Sequence, residues 1–275
     1  MTRVTSSGVI DVRGLTKRYG ARCAVEDLTF TVRPGRVTGL FGPHGAGKTT
    51  TLRLLLGLVR PTAGTALIGG RRYAELADPL RTVGAVLEAP RFHPGRTGRD
   101  HLRVLAAAAG IPERRVGEVL RRVGLAEDAD RKTRTYSMGM RRRLALAAAL
   151  LGDPGVLILD EPGPRGLLRW YAGLGRTVLV TGHAPAELAR TVDDVLVIRR
   201  GRLVCAAPRA DLADERVRVR TPDADRLRAV LLDDGVRIDA PSDDVLYVTG
   251  TAAAKIGHLA HANGIELHEL TGGTP

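Results

Sequence analysis

The sequence predicts an α/β fold, a parallel sheet built around a phosphate-binding loop, followed by a small α+β domain. Three observations carry this prediction. The apolar run Val37 to Phe41 leads through a glycine-rich loop into an amphipathic helix. A second apolar run, "VLILD", ends at two adjacent carboxylates, Asp160 and Glu161. After Gly201 the pattern changes to short strands and helices in the order β-α-β-β-α-β.

Bulk composition excludes several classes. With 275 residues, 44% of them hydrophobic and 26% charged, the chain suits one large and one small globular domain. Lys and Arg total 42 against 30 Asp and Glu, a formal charge of +12. The arginines are spread along the chain and aromatics are only 3%. The charge therefore reads as a solvated surface with a pull toward phosphates and anionic headgroups, and no nucleic-acid partner is expected. Cys23 and Cys205 make neither a disulfide framework nor a metal spacing, which suits a reducing cytosol. The start, "MTRVTSSGVIDV", lacks a long apolar core, so no signal peptide is expected. "LALAAALLG" is too short to span a bilayer, so a membrane role requires another chain.

The phosphate loop matches G-x-x-x-x-G-K-[ST] and runs from Gly42 through Pro43, His44, Gly45, Ala46, Gly47, Lys48 and Thr49 to Thr50. Glycines let backbone N–H groups curl around a polyphosphate, and the helix start adds partial positive charge. Lys48 offers a cation to the β- and γ-phosphates, and Thr49 a hydroxyl to Mg²⁺. Each charge-assisted hydrogen bond is worth about 1.5–3 kcal/mol. A strand ending in acids beside such a loop gives Asp160 the role of holding Mg²⁺ through water. Glu161 is then placed to polarise an attacking water. A helix N-cap would explain one acid but not two.

The order of motifs from Val9 to Thr271 resembles an ABC transporter ATP-binding subunit. "LTKRYGARCAVEDLTFTVRPG" looks like its N-terminal β-region and "FGPHGAGKTT" like its Walker A loop. "VGAVLEAPRFHPGRTGRDHL" looks like the Q-loop region and "YSMGMRRRLALAAALLGDP" like the signature helix. "VLILDEP" looks like Walker B, "VLVTGHAPAEL" like the switch-histidine segment and "VLVIRRGRLV" like the closing strands. The resemblance implies a P-loop NTPase with a RecA-like core, an N-terminal antiparallel β-region and a helical subdomain over about 90–152. Residues 1–211 would form the ATP-binding domain and 212–275 the small C-terminal domain.

By the same resemblance, Tyr19 stacks on adenine, Glu88 stands at the Q-loop position as a metal ligand, and His183 positions the γ-phosphate. Ser137 and Gly139 reach the γ-phosphate held by a second copy, so a head-to-tail, ATP-dependent homodimer is implied. So are ATP and Mg²⁺ as cofactors, a separate transmembrane permease, and a cytoplasmic place on the inner face of the membrane. Glu88 and the text after it look like bacitracin, lantibiotic and daunorubicin export ATPases. The interval from Lys48 to Ser137 leaves no room for the long coiled coil of chromosome-maintenance ATPases, and one Walker A sets the chain apart from translation-factor relatives. A P-loop kinase would lack the signature helix.

Departures from the family pattern temper the expected activity. Met138 and Met140 replace a Gly and a Gln of the signature, and His44 replaces an Asn. Arg141, Arg142 and Arg143 read as an exposed helix face. His258, His261 and His268 in the tail read as solvated side chains rather than metal ligands. Only Pro162 to Gly175 connects Walker B to the next strand-like run, enough for a short crossover helix. No residue there aligns with the D-loop aspartate. Slow hydrolysis is expected, and the alternative is an ATP-binding regulatory or assembly module that barely turns over.

Overall fold

The computed structural model describes residues 8–87, 92–161, 164–183, 188, 191–209, 217–232, 236–251 and 253–272. Ile10 and Val12 alternate inward and a register shift turns Leu15 inward as well in β1 (Ile10–Tyr19). It pairs antiparallel with β2 (Arg22–Val32) through a turn at Gly20, with Ile10 opposite Val32 and Tyr19 opposite Arg22. Next comes β3 (Val37–Phe41), buried at every position, as a central parallel strand must be. The phosphate loop and α1 (Lys48–Leu55) follow, then β4 (Ala63–Ile68), which pairs antiparallel with β1 to complete a three-stranded sheet.

A single turn, α2 (Pro79–Thr82), enters β5 (Val83–Val86). The helical part contains α3 (Gly98–Ala108), α4 (Arg114–Arg122) and α5 (Met138–Leu150). Thr97 caps α3 by accepting the Asp100 N–H, and Ser137 caps α5 by accepting the Met140 N–H. The chain then runs through β6 (Val156–Leu159), α6 (Arg165–Gly173), β7 (Thr177–Gly182), β8 (Asp194–Arg199) and β9 (Arg202–Pro208).

Strand order in the larger sheet is β5-β6-β7-β3-β8-β9, with the β5/β6, β6/β7, β7/β3 and β3/β8 pairs all parallel. Its two faces are buried against different partners. Leu157, Leu159, Val178 and Val180 face a core shared with the helices, including Leu102, Leu120 and Leu144. Val156, Ile158 and Leu179 face one shared with the antiparallel strands and α1, including Val12, Leu28 and Leu52. The short connection expected after β6 does hold a helix, and α6 closes the crossover with only nine residues.

The chain divides into two compact units, Met1–Ala207 and Pro208–Pro275. In the second, β10 (Val217–Arg220), α7 (Ala224–Leu232), β11 (Arg237–Ser242), β12 (Val245–Thr249), α8 (Ala253–Ala262) and β13 (Glu269–Gly272) form a four-stranded sheet ordered β11-β12-β10-β13. Leu227 and Leu231 of α7 and Ile256 and Ala260 of α8 pack on Val217, Val219, Leu246 and Val248. The final strand starts later than the run "IELHEL" suggests. The Ile265 N–H bonds to Ala260 O and Gly264 takes a positive φ, so Ile265 ends α8 instead of opening a strand.

Candidate functional site

The ends of β3, β6 and β7 bring most of the sequence-predicted residues to one cavity of about 760 Å³. It is lined by His44 to Thr50, Gly139, Asp160, Glu161 and His183. Ligand sites at strand C-termini are the rule for open α/β sheets.

Two glycines of the loop are required by contact as well as conformation. A Cβ on Gly42 would sit 2.2 Å from Ile198 O, and one on Gly47 would sit 2.5 Å from Ala24 O. Both have positive φ. The turn after β8 braces the loop, since the Gly201 N–H donates to Ala46 O at 2.9 Å. Lys48 Nζ donates to Gly42 O at 2.6 Å and to Pro43 O at 3.0 Å, which curls the ammonium over the loop. Gly42 and Pro43 thus take part through their carbonyls.

The acids are tied to this loop. Thr49 Oγ1 donates to Asp160 Oδ2 at 2.8 Å. Thr181 Oγ1 donates to Asp160 Oδ1 at 2.7 Å and accepts the Glu161 N–H at 2.9 Å. Glu161 has φ +76°, unusual for a residue with a side chain. Its carboxylate receives Arg142 Nη2 at 2.8 Å. With the two side chains 61% and 57% exposed, that ion pair is screened and weak. His44 and His183 stack with ring centroids 4.3 Å apart and planes 24° from parallel.

Among the described residues no group of three or more His, Cys, Asp or Glu forms a metal cage. Thr49 and Asp160 offer two oxygens side by side. That donor set fits Mg²⁺, which keeps several waters and takes its remaining ligands from phosphate.

Two expected residues are placed otherwise. Tyr19 is 47% exposed on the β1–β2 hairpin with Lys17 Nζ 4.9 Å from its ring centroid, while Arg22 and Ala24 of that hairpin line the cavity. Ser137 caps α5 and is not among the cavity's lining residues, although Gly139 is. Glu88 lies outside the described residues, as do Pro162 and Gly163. Arg142 and Arg143 lie on the exposed face expected of α5 and also line the cavity, because the helix starts at its rim. The sequence reading missed Thr181. Its place two residues before His183 on a period-2 strand was the available signal.

Residues 25–163 match the family described as ABC transporter. The chain belongs to that family. It is an ATP-binding subunit of an ABC transporter, with the P-loop NTPase fold. Residues 215–274 match a domain of unknown function, DUF8746. A bacitracin transport ATP-binding protein, BcrA, of Bacillus licheniformis is 36% identical over 215 residues, covering 74% of this chain and 70% of its own. A Nod factor export ATP-binding protein I of Ralstonia nicotianae is 35% identical over 261 residues, covering 87% and 81%. The solved structure of an ATP binding subunit of an ABC transporter matches with a TM-score of 0.67 at 28% identity, over 74% of this chain and 91% of that one. As an ABC ATP-binding domain the subunit binds ATP, and members of the family are generally ATPases. Among the described residues no helix is long and apolar enough to cross a membrane.

Proposed function

We propose that this subunit hydrolyses ATP to drive an export complex, acting on a separate transmembrane permease from the cytoplasmic face of the membrane. The observation that carries the reading is the hydrogen-bonded series Thr49–Asp160–Thr181–Glu161 beside the phosphate loop. In this reading Gly42 to Thr50 hold the triphosphate and Lys48 turns from the loop carbonyls to the β- and γ-phosphates. Thr49 and Asp160 hold Mg²⁺, joined through the resemblance by Glu88. When bound, Mg²⁺ supplies charge neutralisation on the phosphate oxygens. Glu161 accepts the proton of the attacking water, a general-base role that typically contributes 10²–10⁴-fold. His183 orients the γ-phosphate, and Tyr19 supplies a ring for adenine. Ser137 and Gly139 at the start of α5 present a helix N-terminus to the γ-phosphate of a second copy in a head-to-tail homodimer. One relative named for bacitracin transport and one named for Nod factor export support the export reading, and the cargo we propose is an antibiotic or peptide, exported in a self-resistance role.

The test is steady-state phosphate release together with size-exclusion chromatography in Mg-ATP. Glu161→Gln is expected to lower turnover about 100-fold or more and to increase the ATP-bound dimer. Turnover unchanged by that substitution removes Glu161 as the base. The second reading, a regulatory or assembly module with little hydrolysis, is favoured by the Arg142–Glu161 ion pair, which engages the base, and by the short β6–β7 connection.

A further inference from the structure

Strand β7 lies between β6 and β3 in the sheet, so its end faces both the acids and the phosphate loop. Thr181 stands there with 1% of its surface exposed. Its hydroxyl is used in both directions: it donates to Asp160 Oδ1 at 2.7 Å and accepts the Glu161 N–H at 2.9 Å. The other oxygen of Asp160 is taken by Thr49 at 2.8 Å. The carboxylate is thus held at both oxygens by hydroxyls from two different elements, which fixes its plane. The bond to Glu161 acts on a backbone with φ +76°, a conformation that a residue with a Cβ keeps only when its surroundings hold it there.

We propose that Thr181 is a positioning residue for both acids. It orients the Asp160 carboxylate toward a divalent cation, and by pinning the left-handed backbone of Glu161 it sets where that side chain enters the cavity. The proposal rests on the hydrolytic reading of the site. One buried hydroxyl then couples the cation-holding group to the water-activating group, and both are lost or kept together. Packing alone does not require this: valine has nearly the shape of threonine and would fill the space, but it neither donates nor accepts.

The experiment compares the full-length wild type with Thr181→Val and Thr181→Ser. Thr181→Val is expected to lower kcat about 10- to 30-fold while the KM for Mg-ATP stays within about threefold, the pattern of a lost transition-state interaction. Thr181→Ser, which restores the hydroxyl, is expected to return kcat to within about threefold of wild type. A second readout is independent of turnover. Mn²⁺ is titrated by electron paramagnetic resonance in the presence of ADP, and Thr181→Val is expected to weaken Mn²⁺ affinity several-fold. Unfolding in urea identifies any variant that fails to fold. Thr181→Ser as impaired as Thr181→Val, or Thr181→Val with wild-type kcat, overturns the proposal. A wild type with no more turnover than Glu161→Gln breaks the hydrolytic reading, and the Mn²⁺ titration then decides on Thr181: equal affinities overturn it.

Discussion

Two connections leave the same edge of the parallel sheet, one from β3 to α1 and one from β6 to α6, and they work by different means. The first is built from backbone. Gly47, at φ +108°, is the N-cap of α1 without a side-chain cap, so the N–H groups of the first turn are left for an anion. At Gly42 and Gly47 a side chain would collide with Ile198 O and Ala24 O. The second is built from side chains. Asp160 and Glu161 are held by Thr49, Thr181 and Arg142, three residues from three other elements. In the proposed reading, phosphate binding therefore rests on the loop's own backbone, and turnover on contacts gathered across the fold. The two properties should separate under mutation.

The largest effect on ATP binding falls on the first connection. Lys48→Ala removes the loop's ammonium, a charge-assisted contact worth about 1.5–3 kcal/mol, so Mg-ATP affinity is expected to fall about 10- to 100-fold. Titration of a fluorescent ATP analogue into both proteins measures it. Equal affinities would break the comparison at its root, because the loop would then bind nothing through its lysine.

A smaller effect tests the second connection. Arg142 donates to the Glu161 carboxylate across exposed surface. Such pairs are worth about 0–1 kcal/mol. Arg142→Gln is expected to leave ATP affinity unchanged and to raise phosphate release by up to about fivefold, as the carboxylate is freed to accept a proton. A drop in turnover would mean that the arginine holds Glu161 in place and does not restrain it.

The two connections also differ in how far sequence reveals them. The phosphate loop is read within a few consecutive residues, because its glycines, lysine and threonine act where they stand in the chain. Both helices of the second unit are equally local, carried by helical spacing, whereas the N-terminal antiparallel strands were expected only from the family resemblance. Thr181 can be marked from its place two residues before His183, but its bonds to both acids depend on β7 lying next to β6, and the contact of Arg142 depends on α5 starting at the cavity, facts of topology that no short window contains. The His44–His183 stack is similar: each residue was marked alone, while their contact follows from β7 lying beside β3. The shortness of the β6–β7 connection was legible, and so was its minimal helix.

The smallest effect concerns that helix and asks whether it serves the sheet or the site. Tyr171 of α6 is buried, and its hydroxyl donates to Pro154 O just before β6. Arg176, before β7, donates to Pro154 O at 2.7 Å and to the Tyr171 oxygen at 3.2 Å, and pairs with Asp153 at 2.9 Å. The cluster anchors α6 to the ends of the two strands it connects, away from the acids. Tyr171→Phe keeps the ring and leaves Pro154 O with Arg176, so a loss of about 1 kcal/mol is expected from urea unfolding near pH 8. Burial pushes the Tyr171 hydroxyl up to about 12, with Arg176 acting in the opposite direction. In the unfolded chain a tyrosine ionises near pH 10. The contribution of the neutral hydroxyl is therefore complete below about pH 10 and is lost as pH rises from there toward about 12. Phenylalanine has no such dependence, so the wild-type advantage should shrink as pH rises from about 10 toward about 12. A constant difference across that range would show that the hydroxyl is not the titrating group. Mg-ATP affinity of Tyr171→Phe at pH 8 is expected to match wild type. If the affinity falls with the stability, α6 positions the acids as well as closing the sheet, and the division between the two connections is less sharp than their geometry implies.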